Sequence, residues 1–264
     1  MLRSVGLTVC LSVCAATAAA PQTGGFDEGC RGFSTDRAYH CEIRDDMLGG
    51  GVPLRVDARP NGGIRVHGWD RGDVALRARV IAYADTEDEA RRLASQVRID
   101  TAGGNIRAFG PEADEGRHWV VSYELRVPQN SHLTLTTKNG GISVRHLRGT
   151  VSFDAVNGGI RLENVGGDFR GRTTNGGVTV DLSGHRWEGA GLDIETRNGG
   201  VRLSLPADYS AELETGTTNG RMSVDFPLTV HGLIGNRLNT TLGAGGARIR
   251  AITRNGGVRI TRRS

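Results

Sequence analysis

The chain has 264 residues, of which 40 are Gly and only 7 are Pro, and aromatic residues make up 5% of it. The glycines fall mostly in pairs between segments of alternating hydrophobicity, which excludes collagen and a flexible linker as explanations. The formal net charge is +4. Because acidic and basic residues are interspersed without basic runs, we expect no nucleic-acid partner.

The first residues have the features of an export signal. Arg3 gives a positive start, an apolar stretch follows, and residues 15–20 are small. This pattern is typical of a secretory signal peptide and is too short for a stable membrane span. We therefore predict a signal peptide over residues 1–19, cleaved near Ala18–Ala20, and export to the periplasm, the cell surface or the medium, with no transmembrane span.

The four cysteines divide between this leader and the mature chain. Cys10 and Cys14 fall inside the leader, so Cys30 and Cys41 remain. In an exported protein, two cysteines at this spacing most simply form a disulfide. Two alternatives stay open. Cys14 would carry a lipid if the leader were a lipoprotein signal, although the residue before it is bulkier than such signals use, and His40 would join the two later cysteines in a metal site.

Residues 20–128 combine strands with one helix. Alternating apolar residues predict strands on both sides of Asn61 and over Val74–Ala84. Thr86 and Glu89 form a capping box, and the apolar residues that follow recur at helical spacing. We predict one amphipathic helix of about three turns. The helix and its neighbouring strands are expected to cap one end of a strand stack, because a terminal strand otherwise exposes unpaired backbone.

The motif Asn-Gly-Gly followed by an apolar residue organises the chain. Its asparagines are Asn61, Asn139, Asn157, Asn175, Asn198 and Asn255, with a variant at Asn219-Gly220-Arg221. From Asn139 onward the copies are spaced by eighteen residues, by eighteen plus loop insertions, or by twice eighteen. Apolar residues recur with period two at fixed offsets on both sides of the asparagine. Antiparallel hairpins would not fix those offsets, whereas parallel stacking of like residues on like does.

We therefore predict a mainly all-β fold. Residues 129–264 form a parallel β-solenoid, or β-helix, of rungs of about 18 residues, and residues 20–128 form the small α+β cap region. The asparagines are structural turn residues that adopt a left-handed conformation and bond to their copies on neighbouring rungs. The last rung ends almost at the C-terminus, so it either frays or pairs with another chain in end-to-end self-association.

No pattern typical of a catalytic, cofactor or metal site occurs in the sequence. It contains no Gly-x-Ser-x-Gly, His-Glu-x-x-His or phosphate loop, and the repeat lacks the aspartate of calcium-binding solenoids. We predict no enzyme activity and no cofactor. A carbohydrate-active protein would instead use clustered carboxylates, for which Asp193, Glu195, Glu212 and Glu214 are the candidates if their rungs are adjacent.

Other surface features are weaker candidates for binding. Trp69, Trp119 and Trp187 are potential sugar-stacking platforms, and Trp187 is the best of them because it lies in an insertion loop. Packing over the edge of a rung nevertheless explains Trp187 better. Arg71-Gly72-Asp73 spells a tripeptide that animal integrins read, although a plain turn explains it better. The outward positions of the repeat are mixed in charge, and we expect Arg161 to pair with Asp181 across neighbouring rungs.

Several segments occur together in a recognisable combination. They are Cys41-Glu42-Ile43-Arg44, Gly68-Trp69-Asp70 after the first Asn-Gly-Gly, the capped helix, Val121-Ser122-Tyr123-Glu124-Leu125 and the repeated Asn-Gly-Gly motif. The combination resembles the bacterial putative-adhesin family of β-strand-repeat proteins, a domain of unknown function, over residues 38–264. The resemblance implies an exported β-solenoid and supplies no catalytic residue. The chain departs from the pattern at Gly220-Arg221 and at Gly243-Ala244-Gly245-Gly246.

From these features we expect an exported, non-enzymatic, adhesin-like module with a structural or interaction role at the cell envelope. Its partner would be a protein or a glycan. The alternative is a carbohydrate-binding or carbohydrate-active β-helix protein.

Overall fold

The computed structural model describes residues 29–30, 37–114, 116–225 and 235–263. The predicted signal peptide lies outside them. Among these residues strands dominate and there is one α-helix, which confirms the mainly all-β class. The elements are β1 (Ala38–Leu48), β2 (Leu54–Asp57), β3 (Ile64–Trp69), β4 (Val74–Ala84), α1 (Glu87–Gln96), β5 (Arg98–Asp100), β6 (Asn105–Phe109), β7 (His118–Pro128), β8 (Leu133–Asn139), β9 (Ile142–Arg145), β10 (Thr150–Asn157), β11 (Ile160–Glu163), β12 (Asp168–Asn175), β13 (Val178–Asp181), β14 (Gly191–Asn198), β15 (Val201–Pro206), β16 (Ala211–Asn219), β17 (Met222–Val224), β18 (Arg237–Leu242), β19 (Arg248–Asn255) and β20 (Val258–Arg263).

The strands form two ten-stranded sheets. In the first sheet the order is β1-β4-β7-β3-β9-β11-β13-β15-β20-β17, and in the second it is β18-β16-β19-β14-β12-β10-β8-β2-β6-β5. Both sheets are mixed. Four pairs are antiparallel, namely β1 with β4, β4 with β7, β5 with β6 and β16 with β18, and the other pairs are parallel. Three of the antiparallel pairs lie before residue 129, where β2 with β6 and β3 with β7 are nevertheless parallel, and the fourth joins β16 to β18.

The parallel pairs are in register as the repeat predicts. Asn157 lies opposite Asn175 in the pair of β10 with β12, and Ile160 lies opposite Val178 in the pair of β11 with β13. Inward residues on alternate positions are buried, and one apolar core cluster extends from Leu54 to Ile260. Like residues therefore stack on like, so each strand adds one more layer to the same core.

Helix α1 has hydrogen-bonding partners at both of its ends. Glu89 N–H donates to Thr86 Oγ1 at 3.3 Å, and the Glu89 carboxylate accepts from the Thr86 N–H at 3.2 Å, which is the predicted capping box. The buried face of the helix packs against β1 and β4. At its other end, Arg44 of β1 donates to the carbonyls of Ala94, at 2.9 Å, and Val97. A cation at a helix C-terminus is stabilising because the last carbonyls carry partial negative charge.

The last two strands lie inside the stack. β19 has β14 and β16 as neighbours, and β20 has β15 and β17. The prediction that the last rung frays or joins another chain end to end is therefore wrong, because both strands already bond to neighbours on both sides. The chain reaches this position through β18, which pairs with β16, and through residues 243–246, where Gly243, Gly245 and Gly246 have positive φ.

Candidate functional site

The seven predicted turn asparagines form one ladder of side-chain hydrogen bonds, which we call the asparagine ladder. Each Nδ2 donates to the Oδ1 of the preceding asparagine in the stack at 2.7–2.8 Å: Asn139 to Asn61, Asn157 to Asn139, Asn175 to Asn157, Asn198 to Asn175, Asn255 to Asn198 and Asn219 to Asn255. An amide has two N–H donors and two acceptor lone pairs. Each interior asparagine uses one of each inside the ladder, so one of each remains for a ligand.

The corner, meaning the asparagine and the two residues after it, has a different backbone from the one predicted. Among the described residues other than glycine, only His146 and Asn164 have a positive φ. The predicted left-handed asparagines are therefore wrong, because all but the first of them are the last residues of extended strands. The first glycine of each corner is needed because the backbones of adjacent corners approach each other too closely for a Cβ. A Cβ on Gly158 would lie 1.9 Å from the carbonyl oxygen of Gly140 in the next corner.

Buried threonines fasten neighbouring corners together. The residue two positions before the asparagine donates its hydroxyl to the first glycine carbonyl of the adjacent corner at 2.6–2.7 Å: Thr137 to Gly62, Thr173 to Gly158, Thr196 to Gly176 and Thr253 to Gly199. A buried hydroxyl without such a partner would be destabilising. Thr217 is the exception, because its buried Oγ1 has no hydrogen-bond partner. The sequence indicated only that residues at this offset are small.

One outward row of the first sheet is rich in arginine. The register places in this row Arg77, Glu124, Arg65, Ser143, Arg161, Thr179, Arg202, Arg259 and Ser223. Arg161 Nη2 lies 3.1 Å from Asp181 Oδ2, so the predicted ion pair between neighbouring rungs is confirmed. Arg202 and Arg259 lie directly opposite each other, and both are exposed. Like charges in this relationship repel.

A groove of about 580 Å³ runs beside the N-terminal part of this row. Its lining includes the second glycines of four corners, Gly63, Gly141, Gly159 and Gly177, together with the arginines Arg65, Arg77, Arg79 and Arg161. Glu124 is the acidic side chain of the lining, and Ser122, Ser143 and Thr179 provide hydroxyls. Because glycine has no side chain, the backbone is accessible along the stack. The groove therefore suits an extended ligand that carries negative charge or many hydroxyl groups.

Three of the four carboxylates considered for sugar cleavage, Asp193, Glu195 and Glu214, are engaged in ion pairs, and Glu212 accepts from the Thr241 hydroxyl at 3.0 Å. β19 lies between β14 and β16, so its Arg250 separates Asp193 and Glu195 from Glu214. Its guanidinium donates to Asp193 and Glu195, and Nε lies 3.6 Å from Glu214 Oε1. Partial burial lowers the pKa of Arg250, but the hydrogen bonds that its guanidinium donates to Asp193 and Glu195 outweigh this effect and hold the pKa above its usual value. The two carboxylate pairs are therefore not on adjacent strands, which was the condition for a carboxylate cluster that cleaves sugars.

Trp187 is not a sugar platform. Its side chain is only 4% exposed, its ring packs edge to face against Phe169 with centroids 6.1 Å apart, and its Nε1 donates to Gly167 O at 3.0 Å. The insertion loop folds inward over the core, so the packed position expected for this tryptophan is confirmed. Trp119 is half-buried and donates to Pro111 O at 2.8 Å.

The side chains of the tripeptide Arg71-Gly72-Asp73 contact each other and Trp69. Arg71 Nε donates to Asp73 Oδ1 at 2.9 Å, and the Arg71 guanidinium lies 4.5 Å from the centroid of Trp69. The Trp69 indole donates to the carbonyl of Asp73 at 2.9 Å. These contacts make a compact turn in which the arginine covers one face of the half-buried tryptophan. The plain turn is the reading that the geometry favours.

Cys30 and Cys41 form a disulfide with their Cα atoms 5.7 Å apart. Both sulfurs are therefore engaged, and the alternative metal site with His40 loses its thiolate ligands. Within the described ranges, no three His, Cys, Asp or Glu side chains are grouped so that they could hold a metal ion. In the same part of the chain, no helix is both long enough and apolar enough to cross a membrane.

The model of the family described as Toastrack DUF4097 matches residues 69–261, which is most of the chain. The chain belongs to the Toastrack DUF4097 family. The resemblance to a putative-adhesin family of unknown function is thereby confirmed. No curated protein gives a significant match to this Toastrack chain.

Solved structures also resemble this Toastrack chain at low sequence identity. A putative cell adhesion protein from Clostridium sporogenes aligns with 11% identity and a TM-score of 0.43, over 85% of this chain and 100% of that one. A putative adhesin from Bacteroides fragilis aligns with 11% identity and a TM-score of 0.38, over 84% of this chain and 97% of that one.

Sequence reasoning missed how the arginines of this Toastrack chain are grouped. The hexapeptide Arg-Asn-Gly-Gly-Val-Arg occurs at Arg197–Arg202 and again at Arg254–Arg259. Its repetition was a signal, but the copies are far apart in the chain. A second signal was the interval of 36 residues between Asn219 and Asn255. That interval equals two 18-residue periods in length, but its described part contains β18, which pairs antiparallel with β16, so its interpretation as two periods of the repeat is wrong.

Proposed function

We propose that this chain is an exported, non-enzymatic interaction module of the cell envelope, built as a β-solenoid rod. The like-on-like register of the parallel strands and the asparagine ladder support the solenoid. In this proposal residues 129–264 are the solenoid, and residues 20–128, with α1 and the antiparallel strands, cap one end. An adhesin-like role agrees with family membership.

Export is supported by two independent features. The leader over residues 1–19 has the composition of a signal peptide. The Cys30–Cys41 disulfide is a bond that persists in oxidising compartments and is rare in the bacterial cytosol. Together they support a site of action outside the cytoplasmic membrane.

Binding is supported above all by the glycine-lined groove. Its arginines occupy fixed positions on a sheet whose register is locked by buried side chains, so they are pre-organised for a ligand. A carbohydrate-binding role is the second candidate, because the hydroxyls of Ser122, Ser143 and Thr179 line the same groove. A carbohydrate-cleaving role has less support, since Asp193 and Glu195 are bound to Arg250.

The proposal is tested with the mature chain, residues 20–264, recovered from an exporting host. We expect oxidised Cys30 and Cys41 by thiol alkylation and mass spectrometry, and saturable binding of the purified protein to cell-envelope fractions. The variant Arg65→Glu/Arg161→Glu should bind more weakly. Arg55→Glu/Arg98→Glu is the matched control, because it removes two exposed arginines away from the groove with the same change in charge.

Two results would contradict the proposal. One is recovery of the native protein in the cytoplasm with both thiols reduced. The other is the absence of saturable binding of the oxidised, folded wild-type protein to envelope fractions.

A further inference from the structure

Two corners of the stack differ from all the others in charge. The position before the asparagine and the position four after it are both arginine at Asn198 and at Asn255. At the other corners at least one of these positions is not basic, as in the pairs Pro60/Arg65, Lys138/Ser143, Val156/Arg161, Thr174/Thr179 and Thr218/Ser223. The two doubly flanked corners share the sequence Arg-Asn-Gly-Gly-Val-Arg.

The position of the last rung brings these two corners together. In chain order the corner of Asn219 stands between them, but in space Asn255 bonds directly to Asn198. Arg202 lies opposite Arg259 in the register of β15 with β20. Neighbouring strands lie about 4.8 Å apart. Four arginines therefore flank two adjacent corners, with one pair before the asparagines and one pair after the glycines.

A fifth arginine completes the group. Arg221 replaces the second glycine in the corner of Asn219, which is the next corner in the stack. Its backbone lies against that of Gly257, since a Cβ on Gly257 would be 3.3 Å from Arg221 O. We call Arg197, Arg202, Arg221, Arg254 and Arg259 the arginine corner. All five side chains belong to exposed residues.

The arginine corner has little compensating charge of its own. Among the described residues the ion pair made by this group is that of Arg259 Nε with Asp225 Oδ2, at 4.0 Å. Elsewhere on the stack, arginines meet carboxylates closely, as Arg172 meets Asp154 at 2.9 Å. Opposed like charges on adjacent strands are destabilising. An anion bound from outside would relieve this repulsion, so the charge pattern is complementary to an acidic partner.

The side-chain amides that lie between the arginines indicate which kind of acidic partner would bind. Asn198, Asn255 and Asn219 run through the arginine corner, and each amide retains hydrogen-bonding capacity beyond the ladder. Guanidinium groups bind carboxylates in a two-pronged geometry, while amides bind neutral hydroxyls. A chain of sugars that carry carboxylates presents both groups along its length.

The residues around the arginine corner argue against two other anionic partners, a nucleic acid and a membrane surface. The corner segments Arg197–Arg202, Thr218–Ser223 and Arg254–Arg259 contain no aromatic residue on which a nucleic-acid base would stack. The exposed large apolar residues of the described chain are Val52 and Phe109, which belong to other segments. A membrane surface would therefore find no apolar anchor at this corner.

We propose that the arginine corner is a binding site for an acidic polysaccharide, with sugar carboxylates on the arginines and sugar hydroxyls on the asparagine ladder. This proposal rests on the proposed function as an envelope interaction module. It adds the chemical class of the ligand and the end of the stack that binds it.

The test uses the full mature chain and polygalacturonate as the probe, with neutral dextran as the uncharged control. We expect saturable binding to polygalacturonate that weakens with added salt and no binding to dextran. Arg202→Glu/Arg259→Glu and Arg197→Glu/Arg254→Glu should each weaken binding at least about tenfold, since each removes two charge-assisted contacts. Arg55→Glu/Arg98→Glu should bind as the wild type does. Arg202→Gln/Arg259→Gln, which adds no negative charge, should weaken binding in the same direction.

The outcomes separate this site from the broader function. Equal weakening in the control variant, or no weakening in the corner variants, overturns the arginine corner even if envelope binding persists. Equally tight, arginine-dependent binding to anionic lipid vesicles or to duplex DNA overturns the polysaccharide assignment. Arginine-dependent binding to polygalacturonate without any binding to envelope fractions supports the site and contradicts the envelope role.

Discussion

Asn255 donates a side-chain hydrogen bond of 2.7 Å to Asn198, which precedes it by 57 positions in the chain. Asn219, between them in the sequence, bonds to Asn255 from the other side at 2.8 Å. The order of these corners in space therefore differs from their order in the chain. The rung made of β19 and β20 occupies a slot between the rung of β14 and β15 and that of β16 and β17.

Removing residues 248–264 should therefore destabilise strands elsewhere in the stack and not only the C-terminal segment. The deletion takes out both strands that join β14 and β15 to β16 and β17. We expect lower thermal stability and loss of amide-exchange protection in β16 and β17, because each rung is stabilised by its neighbours. A shorter deletion of residues 262–264 is the control. Unchanged protection of β16 in the longer deletion would contradict the inserted position.

The asparagine ladder should contribute measurably but modestly to stability. Asn175→Ala removes one bond to Asn157 and one from Asn198. The side chain is exposed, so water replaces part of what is lost, and we expect a decrease of about 0.5–1.5 kcal/mol in the free energy of unfolding. Asn61→Ala, at the end of the ladder, removes one such bond and should cost less. Equal costs in urea denaturation would contradict the cooperative ladder.

The two glycines of one corner should differ in their tolerance of a methyl group. A Cβ on Gly158 would lie 1.9 Å from Gly140 O, whereas one on Gly159 would lie 3.2 Å from Gly177 O. Gly158→Ala should lower stability by about 1–3 kcal/mol or prevent folding, because two backbones must separate. Gly159→Ala should have a smaller effect. A thermal melt of both variants checks the order, and a reversed order would refute the close-approach explanation.

Core packing in the middle of the stack should follow the cost of a cavity. Ile160 is 2% exposed and lies between Ile142 and Val178 on the adjacent strands. Ile160→Ala should cost about 2–5 kcal/mol, and Ile160→Val about 0.5–1.5 kcal/mol. Chemical denaturation of the two variants gives the comparison. A loss below about 1 kcal/mol for the alanine variant would mean that the neighbouring rungs collapse into the space.

Asp57 should contribute to acid sensitivity. The Arg59 guanidinium holds the pKa of Asp57 below its usual value of 3.8, partial burial opposes this, and the Arg59 backbone N–H adds to it. A lowered pKa in the folded state gives stability that is present above pH 3.8 and is lost as the pH falls through the lower, folded value.

The stability that Asp57→Asn removes at neutral pH should be below about 1 kcal/mol, because Arg59 is exposed and Asp57 is only partly buried, so solvent screens the pair. Its difference from the wild type should shrink as the pH is lowered through this range. Asp46→Asn, which makes the same change in charge, is the control. Denaturant midpoints measured from pH 2.5 to pH 7 would show the trend, and a constant difference across that range would exclude the assigned role of Asp57.

The features that could be predicted from the sequence are those that short segments determine. Thr86 and Glu89 specify the start of the helix within four residues, and fixed offsets from each asparagine specify which side chains face the core. The order in which rungs stack is not encoded in this way. Every rung presents nearly the same pattern to its neighbours, so the pattern cannot distinguish Asn219 from Asn255 as the partner of Asn198.

The candidate site was harder to predict than the fold for a related reason. Arg197 and Arg254 become neighbours only through the insertion of β19, and Arg250 reaches Asp193 for the same reason. The insertion loop predicted packing of Trp187 over a rung edge, but its contact with Phe169 could not be read from the sequence. In each case a contact between distant segments decided the environment of the side chain.

The inserted rung also bears on how the protein is made. The strands β14 to β17 are synthesised before β19 and β20. Until β19 and β20 exist, β14 can pair with β16 and β15 with β17. Such pairs must either not form or separate again before residues 248–263 can enter between them. The arginine corner therefore assembles last, and only on chains whose synthesis has passed β20. A polypeptide that stopped before β19 would contain every residue that lines the groove but would lack the second Arg-Asn-Gly-Gly-Val-Arg segment.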